Sequence, residues 1–149
     1  MTKVLRFSNI LLAAILAGTS FGIWIGFNPR NLSGGAFLEQ QQNMLKSLNT
    51  IMIALVFSAT ILTLIAAFVD RKNKSNCYAL LVAAACFLSC ILISRFGNSP
   101  IQNEMLIWDF KNIPSNWALL RDEWWNYHIL RTIAELIALV LISWVHIKK

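Results

Sequence analysis

The sequence predicts an all-α protein, a four-transmembrane-helix bundle with an ordered extracytoplasmic segment between helices 3 and 4. Three observations carry that expectation. The 149 residues are 57% hydrophobic and only 13% charged, against roughly 45–50% and about 25% in an ordinary soluble domain. Four stretches, approximately residues 7–27, 51–69, 78–94 and 128–147, are apolar and nearly free of charge, and a bilayer core about 30 Å thick asks for ~20 such residues in a helix. No polar face recurs along Leu55 to Val69 or Leu80 to Ile93, as it would at roughly 3.6-residue spacing in a soluble bundle. The whole chain, 1–149, reads as one integral membrane domain. A soluble enzyme, a nucleic-acid-binding domain and a disulfide-stapled module are set aside, and membrane lipids are the expected surroundings.

The net charge of +6 follows from topology rather than from nucleic acid. With four spans, both termini and the second loop share one side, where Lys3, Arg6, Arg71, Lys72, Lys74, Lys148 and Lys149 face the single acid Asp70. The opposite side balances six bases against six acids. Short cytoplasmic loops collect Lys and Arg, so N- and C-termini are expected in the cytoplasm, and in a bacterium the membrane would be the cytoplasmic one.

The first helix is read as a retained span rather than a cleaved signal, because its apolar run continues from Phe7 to Phe27, beyond the 7–15 residues of a signal core. Gly18, Gly22 and Gly26 form a small-xxx-small stripe that lets backbones approach. Another helix of the same bundle is its expected neighbour, with a second copy in a homo-oligomer as the alternative. Breakers crowd Pro29 to Gly35 and then vanish, so a helix is expected from Ala36 to Val69, about 50 Å long. Residues 70–76 make a short basic turn. Cys77, Cys86 and Cys90 show no CxxC spacing and read as buried thiols.

Residues 95–127 hold four of the six tryptophans, Trp108, Trp117, Trp124 and Trp125. Disordered segments are poor in aromatics. An interfacial belt accounts for two of the four, and a folded cap over the bundle accounts for them all.

On a helical wheel, Arg121, Trp124, His128, Arg131, Thr132 and Glu135 share an arc of about 100°. Glu135 lies thirteen residues from Lys148, about 20 Å, which puts its carboxylate roughly 10 Å below the outer surface. Ionisable groups at such depth face a bundle interior or wet cavity and mark function. The plainer alternative is an Arg131–Glu135 pair at i, i+4 that ties helices together. No metal is expected: His128 and His146 stand at opposite ends of one helix, and no HExxH spacing, nucleophilic triad or phosphate-binding glycine loop is present.

The stretch GNSPIQNEMLIWDFKNIPSNWALLRDEWWNYHILRT, Gly97 to Thr132, resembles the anthrone oxygenase family of small four-helix membrane proteins. The resemblance rests on Asn98 and Pro100, Trp108, Trp117, Leu120 with Arg121, Trp124 or Trp125, then His128, Arg131 and Thr132 in order. Gln42 is a weaker match. The second Asn of the family's Asn-x-Pro-x-Asn turn is Gln102 here, and Glu135 lies outside the pattern.

The resemblance implies oxidation of an anthrone to an anthraquinone by O₂ without a cofactor. His128 would then be the general base, since imidazole titrates near neutrality, and Arg131 or Arg121 would stabilise the enolate oxygen. The tryptophans would supply flat walls for a planar aromatic or quinol-like substrate. The expected catalytic residues are His128 and Arg131. The expected binding residues are Asn98, Gln102, Trp108, Trp117, Arg121, Trp124, Trp125, Thr132 and Glu135. Two alternatives stay open: a non-enzymatic protein that binds a lipid or quinone in the same pocket, and a proton or ion carrier using Glu135 and Arg131.

Overall fold

The computed structural model describes residues 3–148. Its chain runs through α1 (Lys3–Gly26), a 3₁₀ turn (Pro29–Asn31), α2 (Gly34–Val69), α3 (Lys74–Ile93), a π-helical turn (Ser94–Asn98), α4 (Ser99–Leu106) and α5 (Trp117–Ile147). Four helical segments are long and apolar enough to cross a membrane.

Local chemistry sets the ends. Asn28 accepts a hydrogen bond from Arg30 N at 3.1 Å, which closes the 3₁₀ turn around Pro29. Ser33 caps α2 by accepting from Ala36 N, and Asn73 caps α3 by accepting from Asn76 N; both satisfy amides that a helix start leaves without partners. The second helix therefore begins at Gly34, two residues before the expected start, and its 36 residues extend about 54 Å.

The cap is built differently from a loop. The third helix does not stop at Ser94 but widens into the π-helical turn and continues as α4. Gly97 makes this possible, because a Cβ there would lie 2.8 Å from the ring of Tyr127 on α5. The last helix starts at Trp117, eleven residues before His128, so only 107–116 lie outside helices in the expected 33-residue segment. Gln42 Nε2 donates to Met105 O at 3.3 Å and Asn98 Nδ2 to Trp124 O at 3.1 Å, tying α2 and α5 to the cap.

Packing divides into two halves. In the half nearer the termini, α3 packs on α5 and α2, and α1 on α5 and α2. Alanines 13, 59, 66, 67, 83 and 138 are buried there around Leu16, Phe87 and Ile142. Small residues are what let helices approach closely where no hydrophobic effect drives them together. Asn9, Thr63 and His146 join α1, α2 and α5 in the same half, with Thr63 Oγ1 2.9 Å from Asn9 Oδ1 and Asn9 Nδ2 3.4 Å from His146 Nε2. The other half packs Phe37, Leu38, Ile101, Met105, Trp124 and Trp125 beneath the cap.

The outer surface of the helices exposes Phe7, Ile61, Phe68, Leu92 and Val140 among many other large apolar side chains. In water that surface would drive aggregation; in a bilayer it is the lipid contact. The glycine stripe is a correction. A Cβ at Gly18, Gly22 or Gly26 would meet nothing within 4 Å, so the stripe faces away from the bundle, and alanines do the close packing expected of it.

Candidate functional site

Helix α2 leans on α3 and α4 but barely touches α5. The gap between them is a cavity of about 400 Å³. Its apolar side comes from α2, through Met44, Leu48, Met52 and Val56. Its polar side joins Gln41, Ser94, Asn98, Gln102, Trp124, His128, Arg131 and Glu135.

His128 is fully buried. Its Nε2 stands 3.2 Å from the carbonyl oxygen of Ser20 on α1, and its Nδ1 stands 3.3 Å from an Arg131 nitrogen. A carbonyl only accepts and a guanidinium only donates, so Nε2 carries the hydrogen and Nδ1 presents its lone pair to Arg131. Trp124 and Trp125 lie nearly parallel to the imidazole, with centroids 5.5 and 5.3 Å away and interplanar angles of 8° and 22°. The three rings make one apolar cluster that holds the imidazole plane.

Arg131 also donates to Ser94 Oγ at 3.2 Å. Among the described residues it makes no ion pair with Glu135; the two ion pairs there are Arg30–Asp122 and Arg121–Asp122. The i, i+4 tie considered from sequence is therefore not formed. Glu135 is buried with Oε2 unpartnered, and the Ser20 hydroxyl is likewise buried without a hydrogen-bond partner.

Six of the expected residues line the cavity: Asn98, Gln102, Trp124, His128, Arg131 and Glu135. The other five do not. Trp125 supports His128 from within the cap core. Thr132 bonds back to His128 O at 2.8 Å, inside its own helix. Trp117 packs on Phe37 and over Gly34, and Trp108 packs against the same core. Arg121 turns away from the cavity to Asp122, to Arg30 O at 3.2 Å and to the Trp117 ring, where it fastens the 3₁₀ turn to α5.

Gln41, Ser94 and Arg95 line the cavity but were missed. They come from α2 and the π-helical turn, and a wheel drawn on α5 alone cannot reach them. Gln41 carried a legible signal, an amide at the apolar edge of a long helix. The Ser20 carbonyl carried none, because every residue has one. Among the described residues no group of three His, Cys, Asp or Glu side chains is placed to hold a metal ion.

Four membrane-length helices around a cavity, with a helical cap at one end, define an integral membrane protein with a mixed apolar and polar compartment. The model of the anthrone oxygenase family matches residues 42–141, two thirds of the chain, and the protein belongs to that family. That match takes in the cap, all of α3 and every cavity residue named above except Gln41. Neither the curated proteins nor the solved structures yield a match.

Proposed function

We propose that the cavity binds a planar hydroxyarene of the anthrone kind and promotes its oxygenation by O₂, with His128 as proton acceptor and Arg131 as oxyanion donor. The observation that carries this reading is the His128–Arg131 hydrogen bond at the cavity wall, flanked by Trp124. Ser20 O fixes the Nε2–H tautomer and leaves Nδ1 as the basic nitrogen. When the Arg131 guanidinium turns from Nδ1 to a substrate oxygen, it stabilises the enolate and frees the lone pair that receives the proton. The anion gives up electrons to O₂ and forms a C–O bond at the deprotonated carbon, and the resulting peroxide anion takes the proton back from His128 to give a hydroperoxide. The hydroperoxide then loses water, so one oxygen atom becomes the new carbonyl and the other leaves as H₂O. Trp124 supplies the flat apolar wall.

The excess of Lys and Arg around the termini and the 70–76 turn supports cytoplasmic termini, which would set the cavity in the outer half of the bilayer. The direct test is O₂-dependent conversion of anthrone to anthraquinone by purified protein and its loss in His128→Ala. Full activity in that variant would remove His128 from the mechanism.

A second reading, a non-catalytic binder of a quinone or lipid, is favoured by one observation: Nδ1 of His128 is already engaged by Arg131. A quinone retained through purification, with no turnover under O₂, would decide for it.

A further inference from the structure

Ile53 and Phe57 line the cavity, yet each is about half exposed, at 49% and 50%. They sit on α2, and Ile91 of α3 is another lining residue. Phe57 and Ile53 lie twelve and sixteen residues before Val69, about 18 and 24 Å along the helix. Both depths fall within a hydrocarbon core about 30 Å thick. The cavity wall at this level is therefore also the lipid-facing surface.

Several buried polar atoms of the cavity lining have no protein partner. Gln41 is 1% exposed, and both its Oε1 and Nε2 are unpartnered. Asn98 Oδ1, Glu135 Oε2, Trp124 Nε1 and Arg131 Nε are buried and unpartnered as well. Buried polar groups in native proteins are nearly always hydrogen-bonded. This set includes donors and acceptors together, and an amide offers one of each whichever way it is turned. An acyl chain would satisfy none of them. A second cavity of about 210 Å³ adjoins the first at Leu45, Asn49, Ser99 and Gln102, and leads toward Lys46 and Asn103, a polar route that competes with the apolar one.

We infer that the cavity is loaded sideways from the bilayer, between α2 and α3 past Ile53, Phe57 and Ile91, by a lipid-soluble molecule whose polar end carries both a hydrogen-bond donor and an acceptor. The inference rests on the proposed reading of this cavity as the hydroxyarene site. It adds the route of access and the demand on the polar end. Gln41 receives that end together with Arg131 and Trp124, while the apolar body lies along Met52 and Val56.

The test uses the full chain in phosphatidylcholine nanodiscs under argon, with fluorescent 2-hydroxyanthracene as probe and anthracene as the analogue lacking the hydroxyl. Association and dissociation are followed by stopped flow. Ile53→Trp is expected to slow both rates at least tenfold, and Asn103→Trp to alter neither. The probe is expected to bind at least tenfold more tightly than anthracene, a preference lost in Gln41→Leu. Slowing by Asn103→Trp instead, or by neither variant, overturns lateral loading while leaving the cavity as the site. Equal affinity for the two compounds overturns the polar-end requirement. Absence of 2-hydroxyanthracene binding to the unaltered protein overturns the hydroxyarene reading itself.

Discussion

Arg131 lies within one turn of both His128 and Glu135, yet it hydrogen-bonds the imidazole at 3.3 Å and makes no ion pair with the carboxylate within 4.0 Å. The difference matters because an Arg–Glu pair would neutralise both groups. As folded, the cavity keeps a guanidinium oriented toward His128 and Ser94 and a separate, partly unpartnered carboxyl group. A charged donor held in this way is able to change partners when a ligand oxygen arrives.

Arg131→Met is therefore expected to lower kcat by about 10²–10³, the usual effect of removing one oxyanion donor. Steady-state oxidation of anthrone, compared with the unaltered protein in the same detergent, checks it. Arg121→Met, which removes a side chain outside the cavity, should leave turnover unchanged.

Gln41→Leu should stabilise the ligand-free protein. A buried group without partners costs about 1–3 kcal/mol, and an apolar side chain of similar shape removes that cost. The same variant is expected to lose affinity for 2-hydroxyanthracene. Thermal unfolding and binding measured on one preparation should move in opposite directions, the usual trade between stability and function.

Gly97→Ala should destabilise by about 1–3 kcal/mol, the range for overpacking a filled interior, because the new methyl meets the Tyr127 ring. Gly22→Ala is the contrast. Its Cβ enters open space, so the melting temperature should hold or rise. Restoration of Gly97→Ala by Tyr127→Ala would identify the ring as the cause.

Asp122→Asn breaks the ion pairs to Arg30 and Arg121, but the Asp122 side chain is 44% exposed. Exposed pairs contribute roughly 0–1 kcal/mol. The expected outcome is a small loss of thermal stability that high salt reproduces in the unaltered protein, with turnover retained.

Much of this arrangement was legible in the residues. Charge-free runs of span length follow from the cost of polar groups in lipid, and α1, α2 and α3 coincide broadly with them. The stripe on α5 placed Trp124, His128, Arg131 and Glu135 correctly on one face because helical periodicity is local. Arg121 and Thr132 share that arc but do not line the cavity. Near the helix start Arg121 reaches Asp122, Arg30 and Trp117, and the Thr132 hydroxyl bonds its own backbone. Gln41 and the Ser20 carbonyl belong to other helices, and only packing brings Ser20 O to His128 and Gln41 into the same cavity. The glycine stripe misled for the same reason: small residues permit close approach but do not say which neighbour uses it.

The π-helical turn Ser94–Asn98 has a consequence for how this site could be altered by heredity. Such a turn amounts to one residue inserted into an α-helix. Deleting a single codon there would restore regular winding and rotate everything beyond it by about 100°. Asn98 would leave Trp124 O, Gln102 would turn from the cavity, and α4 would present another face to Phe37 and Leu38. The geometry of the cavity thus depends on an insertion as much as on side-chain identity. A homologue could retain every polar residue named here and lose the site through the absence of one amino acid.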